Sequence, residues 1–244
     1  MTTIGFIGLG IMGAPMAANL VDAGFDVVGY NRSPDKVDAL VAHGGRGAGS
    51  VAEAAKGSDV VVTMLPDAPD VLEVVTGRDG VLAHSHPGQL LIDMSTIGPE
   101  ASCAIAEAAS RFDVRVLDAP VSGGEAGAVE GRLSIMVGGA TVDFEAARHV
   151  FVAMGTTIVH VGPHGAGQTV KAANQLIVAG NIQLLAEAIV FLEPPAWTSV
   201  PPSSSWREVS PAARSWIARP RTWSTGTSPP ASGLRCTTRT WGSS

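Results

Sequence analysis

Lysine and tryptophan are scarce in this 244-residue chain, and they never share a region. The three lysines, Lys36, Lys56 and Lys171, precede residue 194, and the five tryptophans, Trp197, Trp206, Trp216, Trp223 and Trp241, follow it. Two cysteines, Cys103 and Cys236, are too few for a disulfide framework. The fold must therefore rest on an apolar core, and a reducing, cytoplasmic compartment is expected. No basic, apolar signal segment opens the chain. The apolar run from Leu176 to Leu192 is broken by Asn181, Gln183 and Glu187, which favours a buried helix over a membrane span. Basic residues are few as well: residues 1–193 carry 10 against 21 acidic ones, a net of −11 that argues against a nucleic-acid surface. His84-Ser-His86 has no Cys or acidic partner at ligand spacing, so no metal is expected there. No G-x-S-x-G nucleophile elbow occurs.

Residues 194–244 have a different chemistry. They hold eight of the sixteen prolines, six arginines and one acid, Glu208, for a net of +5. A stretch so rich in Pro and Ser, and without periodicity, reads as disordered. A change of reading frame accounts for the break. Grouping the last base of each codon with the first two of the next permits Ala-Ala-Gly-Val-Asp from the last base of the Glu193 codon through Pro194–Thr198, and Gly-Gly-Leu-Ala-Gly for Arg207–Ala212. Both are ordinary, helix-compatible strings. About 190 coherent residues suit one full domain and the start of a second.

Within those residues, strands and helices alternate. Ile4–Gly8 is a short apolar run, followed by Gly8-Leu-Gly10-Ile-Met-Gly13, an Ala-rich helical stretch to Ala23, and a second strand, Phe25–Tyr30. Further strands are expected at Val60–Met64, Leu90–Asp93, Val114–Asp118 and Leu133–Val137, with helices at Asp35–Ala42, Ala68–Val75, Glu100–Ser110 and Asp143–Ala153. This alternation predicts an α/β fold of Rossmann-like, doubly wound type, with a mostly parallel sheet and helices on both faces. The dinucleotide-binding domain is expected over 1–163. A long helix over 164–193, buried between domains, should start a truncated all-α second domain, with an out-of-frame tail at 194–244.

The glycine run sits where a dinucleotide fingerprint must, between a strand and a helix. Gly8 permits the tight turn, Gly10 lets the backbone approach a pyrophosphate, and Gly13 packs helix against strand. Leu9 and Met12 belong to the same turn. The second strand ends in Tyr30-Asn31-Arg32-Ser33, with no acid to hold a ribose 2′-hydroxyl. Arg32 can pair with a 2′-phosphate and Asn31 does not repel one, so NADP(H) is favoured, with NAD(H) possible. A solvated surface arginine is the plainer reading of Arg32.

Lys171 stands one turn into the long helix, with Asn174 three residues on along the same face. A partly desolvated lysine has a lowered pKa and can protonate a carbonyl oxygen. Spacing alone favours a surface lysine with a capping Asn. Asp118-Ala-Pro-Val-Ser122-Gly123-Gly124 ends a strand, the side of an open α/β sheet where ligands bind. Ser122 and the N–H groups of Gly123 and Gly124 suit a carboxylate, although a plain turn also explains them. Asp93-Met-Ser95-Thr96 ends another strand and places hydroxyls beside the crevice.

Five ordered motifs together resemble the β-hydroxyacid dehydrogenases: Gly5–Gly13, Met64-Leu65-Pro66, Asp93-Met-Ser-Thr96-Ile97, Asp118–Gly124 and Gly165-Ala-Gly-Gln-Thr-Val-Lys171-Ala-Ala-Asn174. The resemblance covers residues 4–193. It implies an NAD-binding domain like that of 6-phosphogluconate dehydrogenase and an NAD(P)-dependent oxidoreductase acting on a small hydroxyacid or aldehyde acid. By resemblance Lys171 is the acid/base, and Ser122, Gly123, Gly124 and Asn174 hold substrate. Gly8, Gly10, Gly13, Leu65, Pro66 and Thr96 would contact the dinucleotide. Ser122-Gly-Gly-Glu125 and Asn174-Gln175 look most like members that reduce tartronate semialdehyde (2-hydroxy-3-oxopropionate) to glycerate, with 3-hydroxyisobutyrate dehydrogenase as the alternative. Imine reductases and non-catalytic scaffolds of related fold usually lose the lysine.

The family's second, cofactor-contacting lysine occurs only in the shifted frame, at the Thr238/Arg239 junction, and maps to no residue of this chain. The polypeptide as written is thus expected to bind dinucleotide weakly, to turn over little as a non-catalytic fragment, and to lack the family's homo-oligomer contacts. Sequencing the gene across codons 188–200 tests the frame. A one-base difference that restores Glu193-Ala-Ala-Gly-Val-Asp would imply a complete reductase; an unchanged sequence would imply a dehydrogenase fragment with an unrelated tail, from which cofactor binding and not catalysis is expected.

Overall fold

The computed structural model describes residues 1–191; the segment expected to be out of frame, 194–244, lies outside them. The chain divides into two compact units, Met1–Gln175 and Leu176–Ser244. The first contains all nine strands of the described residues.

Its sheet runs in the order β3-β2-β1-β4-β5-β6-β8-β7, with β9 paired to β8. The strands from β1 to β6 are β1 (Thr3–Ile7), β2 (Asp26–Tyr30), β3 (Arg46–Gly47), β4 (Val60–Thr63), β5 (Leu90–Asp93) and β6 (Arg115–Asp118), all parallel to their neighbours. This 3-2-1-4-5-6 order reverses direction between β1 and β4, which opens a crevice at the strand carboxyl ends. Beyond it, β8 (Leu133–Gly139) runs antiparallel to β6 and to the two-residue β7 (Val121–Ser122), and β9 (Gly155–Gly162) is parallel to β8.

Strand side chains alternate between two cores, as the period of two requires. Ile4, Phe6, Val60, Val62, Leu90 and Ile92 join one cluster, with Met16 and Leu20 of α1 (Gly13–Asp22) and Val150 and Phe151 of α7 (Thr141–Val152). Ile7, Val61 and Leu91 face the other, against α3 (Val51–Ala55), α4 (Ala68–Thr76) and α5 (Pro99–Ser110). The expected strands and helices recur with shifts of one or two residues at their ends. Six elements escaped the sequence reading: α3, α6 (Gly124–Val129), β3, β7, a 3-10 turn at Leu82–His84 and β9; all but the eight-residue β9 are too short for a period to show.

The last helix, α8 (Ala166–Phe191), begins two residues after the expected start at 164. Gln168 and Lys171 in its first turns are buried, whereas Leu176, Leu184 and Phe191 are exposed among the described residues.

A buried carboxylate fixes where α8 starts. Asp118, at the end of β6, accepts hydrogen bonds from Gly165 N–H at 2.8 Å and from Gln168 N–H at 3.1 Å. Two amides that a helix N-terminus would otherwise leave orphaned are thereby satisfied, and the negative group lies at the positive end of the helix. Gly167 permits the approach, since a Cβ there would lie 2.7 Å from Asp118 Oδ2. Burial pushes the Asp118 carboxyl above the ordinary carboxylate range, while the Gly165 and Gln168 amides pull it down. Asp118→Ala is expected to lower the unfolding free energy by on the order of 2–3 kcal/mol, because two charge-assisted bonds are lost and two buried amides are left bare. A urea midpoint unchanged from wild type, with the same slope, would refute this.

Candidate functional site

The crevice at the β1/β4 reversal has a volume of about 880 Å³. Main chain builds its floor. Gly8 follows β1 with φ +102°, a region only glycine adopts freely, and a Cβ there would collide with the carbonyl of Met64. A Cβ on Gly13 would strike the carbonyl of Gly8, so that glycine brings α1 against the turn. A Cβ on Gly10 would meet nothing within 4 Å; its bare face is open to a ligand. The N–H groups of Ile11, Met12 and Gly13 receive no acceptor from the described residues, and Met12, the N-cap of α1, supplies no side-chain cap. Unpaired amides and an open backbone at a helix N-terminus fit a diphosphate.

Nine of the ten residues expected at the cofactor line this crevice: Gly8, Gly10, Met12, Gly13, Asn31, Arg32, Leu65, Pro66 and Thr96. Leu9 is the exception. Its side chain is fully buried in the core, and its N–H is bonded to Asn31 Oδ1 at 3.0 Å. Asn31 therefore has a task the sequence did not disclose, tying the glycine turn to the end of β2. Arg32 is 79% exposed, and its guanidinium lies 3.8 Å from Asp70 on α4, which also borders the crevice.

Opposite the glycine turn, the wall hangs on Ser95. Its hydroxyl accepts from Leu65 N–H at 2.9 Å, its N–H donates to Asp93 Oδ1 at 3.2 Å, and its carbonyl accepts from Gln168 Nε2 at 2.8 Å. Thr63 also donates to Asp93 Oδ1, at 2.8 Å. Asp93 Oδ2 is buried with no partner among the described residues, and Asp118 is its register partner on the next strand. Burial pushes the Asp93 carboxyl up to about 6, with Asp118 adding to the rise and the bonds from Ser95 and Thr63 opposing it.

One turn beyond Gln168, Lys171 is 8% exposed and donates to Gln175 Oε1 at 3.1 Å. Asn174 Nδ2 donates to the same oxygen at 3.2 Å, so the two residues meet through Gln175 and not directly. Burial depresses the Lys171 ammonium below the ordinary lysine range. Ser122 closes β7 opposite Ser134, and Gly123 and Gly124 follow with φ of +142° and +62°. This loop descends from Asp118, the residue that holds the start of α8. No hydrogen bond joins Ser122, Gly123 or Gly124 to Lys171 or Asn174 among the described residues.

A doubly wound sheet, a glycine turn with free amides at its switch point, and a buried lysine on the helix after the last strand define a dinucleotide-binding domain of oxidoreductase type. Residues 3–162 match the NAD binding domain of 6-phosphogluconate dehydrogenase. An NAD-dependent L-serine dehydrogenase of Pseudomonas aeruginosa is 46% identical over 191 residues, which is 78% of this chain and 64% of that protein. A 2-hydroxy-3-oxopropionate reductase of Escherichia coli is 44% identical, over 77% of this chain and 64% of its own length. The structure of a Mycobacterium tuberculosis 3-hydroxyisobutyrate dehydrogenase with L-serine superposes with a TM-score of 0.75 at 42% identity, covering 78% of this chain and 65% of that one. The chain belongs to the β-hydroxyacid dehydrogenase family and spans about 64% of the length of these two curated relatives.

The Asp93 carboxyl sets a pH dependence. Its pKa is raised in the folded chain, from 3.8 to about 6, so between those values the folded form retains a proton that the unfolded form has released. Stability is therefore greatest below the lower value and falls as pH rises through the upper one, by up to about 3 kcal/mol from this group. In urea titrations from pH 4 to 7, Asp93→Asn is expected to show a flatter profile than wild type. Parallel profiles would refute it.

Proposed function

We propose that this chain carries the dinucleotide-binding and proton-donating part of an NAD(P)H-dependent reductase of a small aldehyde acid, with tartronate semialdehyde going to glycerate, and that the chain as written turns over little. The observation that carries this reading is Lys171, a buried lysine on a helix that is bonded directly to the wall of the dinucleotide crevice. A lysine whose pKa is depressed by burial gives up its proton more readily than a free one, as a general acid must. Lys171 would protonate the aldehyde oxygen, and Asn174 would orient the substrate beside it. Ser122, Gly123 and Gly124 would take the substrate carboxylate. Gly10, Met12 and Gly13 would cradle the diphosphate, and Leu65, Pro66 and Thr96 would line the wall beside it. When bound, the reduced nicotinamide supplies a hydride to the aldehyde carbon.

Arg32 supports a preference for NADP(H) over NAD(H). Its guanidinium is exposed at the end of β2, where a 2′-phosphate of a bound dinucleotide lies, and its pairing with Asp70 is loose enough to exchange. The glycerate-forming reaction is favoured over 3-hydroxyisobutyrate oxidation by Glu125 after the Gly-Gly turn and by Gln175 after Asn174. Lys171 separates both from an imine-reducing activity. The cytoplasm is the proposed setting.

The test is NADPH oxidation by the full 244-residue chain with tartronate semialdehyde, alongside reverse assays with 3-hydroxyisobutyrate and L-serine. Lys171→Met is expected to cut kcat by roughly 10²–10⁴ while leaving NADPH affinity within about twofold. Turnover that survives the substitution would remove Lys171 from the chemistry. NADPH binding without turnover on any substrate would leave a non-catalytic dinucleotide-binding module.

A further inference from the structure

The side-chain amide of Gln168 straddles one residue of the crevice wall. Its Oε1 accepts from Ile97 N–H at 3.1 Å, and its Nε2 donates to the Ser95 carbonyl at 2.8 Å. The residue between them is Thr96, which is exposed and lines the crevice. Gln168 is only 1% exposed, and its own N–H is bonded to Asp118 at 3.1 Å. Every group is used with the right polarity: one amide donor on a carbonyl, one amide acceptor on an N–H. A buried amide bonded at both ends holds its neighbours at fixed distance, since breaking either bond strands a polar group out of water.

Lys171 lies three residues further along α8, on the same helical face. We propose that Gln168 is a positioning residue. It sets the distance between the crevice wall at Thr96 and the ammonium of Lys171, and so aligns the reactive end of a bound dinucleotide with the proton donor. This rests on reading the crevice as the dinucleotide site. The clamp acts on main chain at Ser95 and Ile97, so it fixes the wall whatever side chain stands at 96. Asp93 holds Ser95 from the strand side, and Leu65 N–H leans on the Ser95 hydroxyl. Through these bonds Gln168 governs both segments of the wall, Leu65–Pro66 and Ser95–Ile97.

Two substitutions separate this role from a purely structural one. Gln168→Met keeps the volume and removes both bonds. Gln168→Glu keeps the acceptor for Ile97 and can donate to the Ser95 carbonyl only while its carboxyl is protonated. NADPH affinity is read by fluorescence from pH 5 to 8 on the full chain, and Lys171 by NMR titration of its ε-ammonium. Val150→Ala, which trims the core at α7, serves as a control of lowered stability. Gln168→Met is expected to weaken NADPH binding about tenfold and to bring the Lys171 pKa back toward the ordinary lysine value, with the control unchanged in both. Gln168→Glu is expected to bind like wild type at the acid end and to lose affinity, relative to wild type, as pH rises. The proposal fails if Gln168→Met binds NADPH like wild type, if the control loses as much affinity, or if Gln168→Glu follows the wild-type pH profile. If wild type binds neither NADPH nor NADH, the crevice reading fails first and takes the proposal with it.

Discussion

The bond between a buried carboxylate and the first turn of a helix organises the functional half of this molecule. Asp118 ends the last parallel strand of the nucleotide-binding sheet, and both its oxygens are spent on amides at the start of α8. The first turn of the helix therefore cannot shift without leaving an anion unpaired in the protein interior, where an unpaired charge is costly. Gln168 converts this anchorage into alignment, because the residue whose N–H meets Asp118 also sends its side chain to the crevice wall. Lys171 inherits its position from both. Two neighbouring buried carboxylates, Asp93 and Asp118, are tolerated since nearly all their oxygens meet donors; Asp93 Oδ2, the exception among the described residues, coincides with the raised pKa.

Most of the nucleotide-binding half was legible in the sequence. Apolar runs such as Val60–Thr63 and Leu90–Asp93 are buried on both faces, so they read as continuous hydrophobic strands and need no alternation to be seen. The glycine spacing was informative because its requirements are steric. Gly8 and Gly13 face carbonyl oxygens that admit no side chain, and Gly10 faces open space. Short elements escaped for the opposite reason. Two residues of β7 or six of α6 hold no period, and only their neighbours in space define them.

The site was legible as a set of residues and less so as a mechanism of assembly. Lys171 stood out as an isolated lysine in a helix, but nothing in its spacing told buried from exposed. That difference comes from Asp118 and Gln168, which lie 53 and three residues away in the chain and bear on it only through the fold. Asn31 was read as a neutral residue beside a 2′-phosphate; its side-chain oxygen also accepts from the Leu9 amide, and so holds the glycine turn. Such long-range bonds between a side chain and the main chain leave no local pattern, because any segment of backbone can serve as the partner.

The crevice floor between these anchors is made of amides and glycine faces, while side chains such as Arg32, Leu65, Pro66 and Thr96 line its ends and walls. Peptide groups are the same in every residue, so the middle of the site is anonymous: substitutions at Ile11 or Met12 alter its rim without altering its donors. Discrimination among dinucleotides and among substrates is then free to drift at the ends while the centre stays constant. A domain built this way can change its reaction without rebuilding its grip: relatives named for serine, hydroxyisobutyrate and oxopropionate chemistry are each 44–46% identical to this chain over the matched residues.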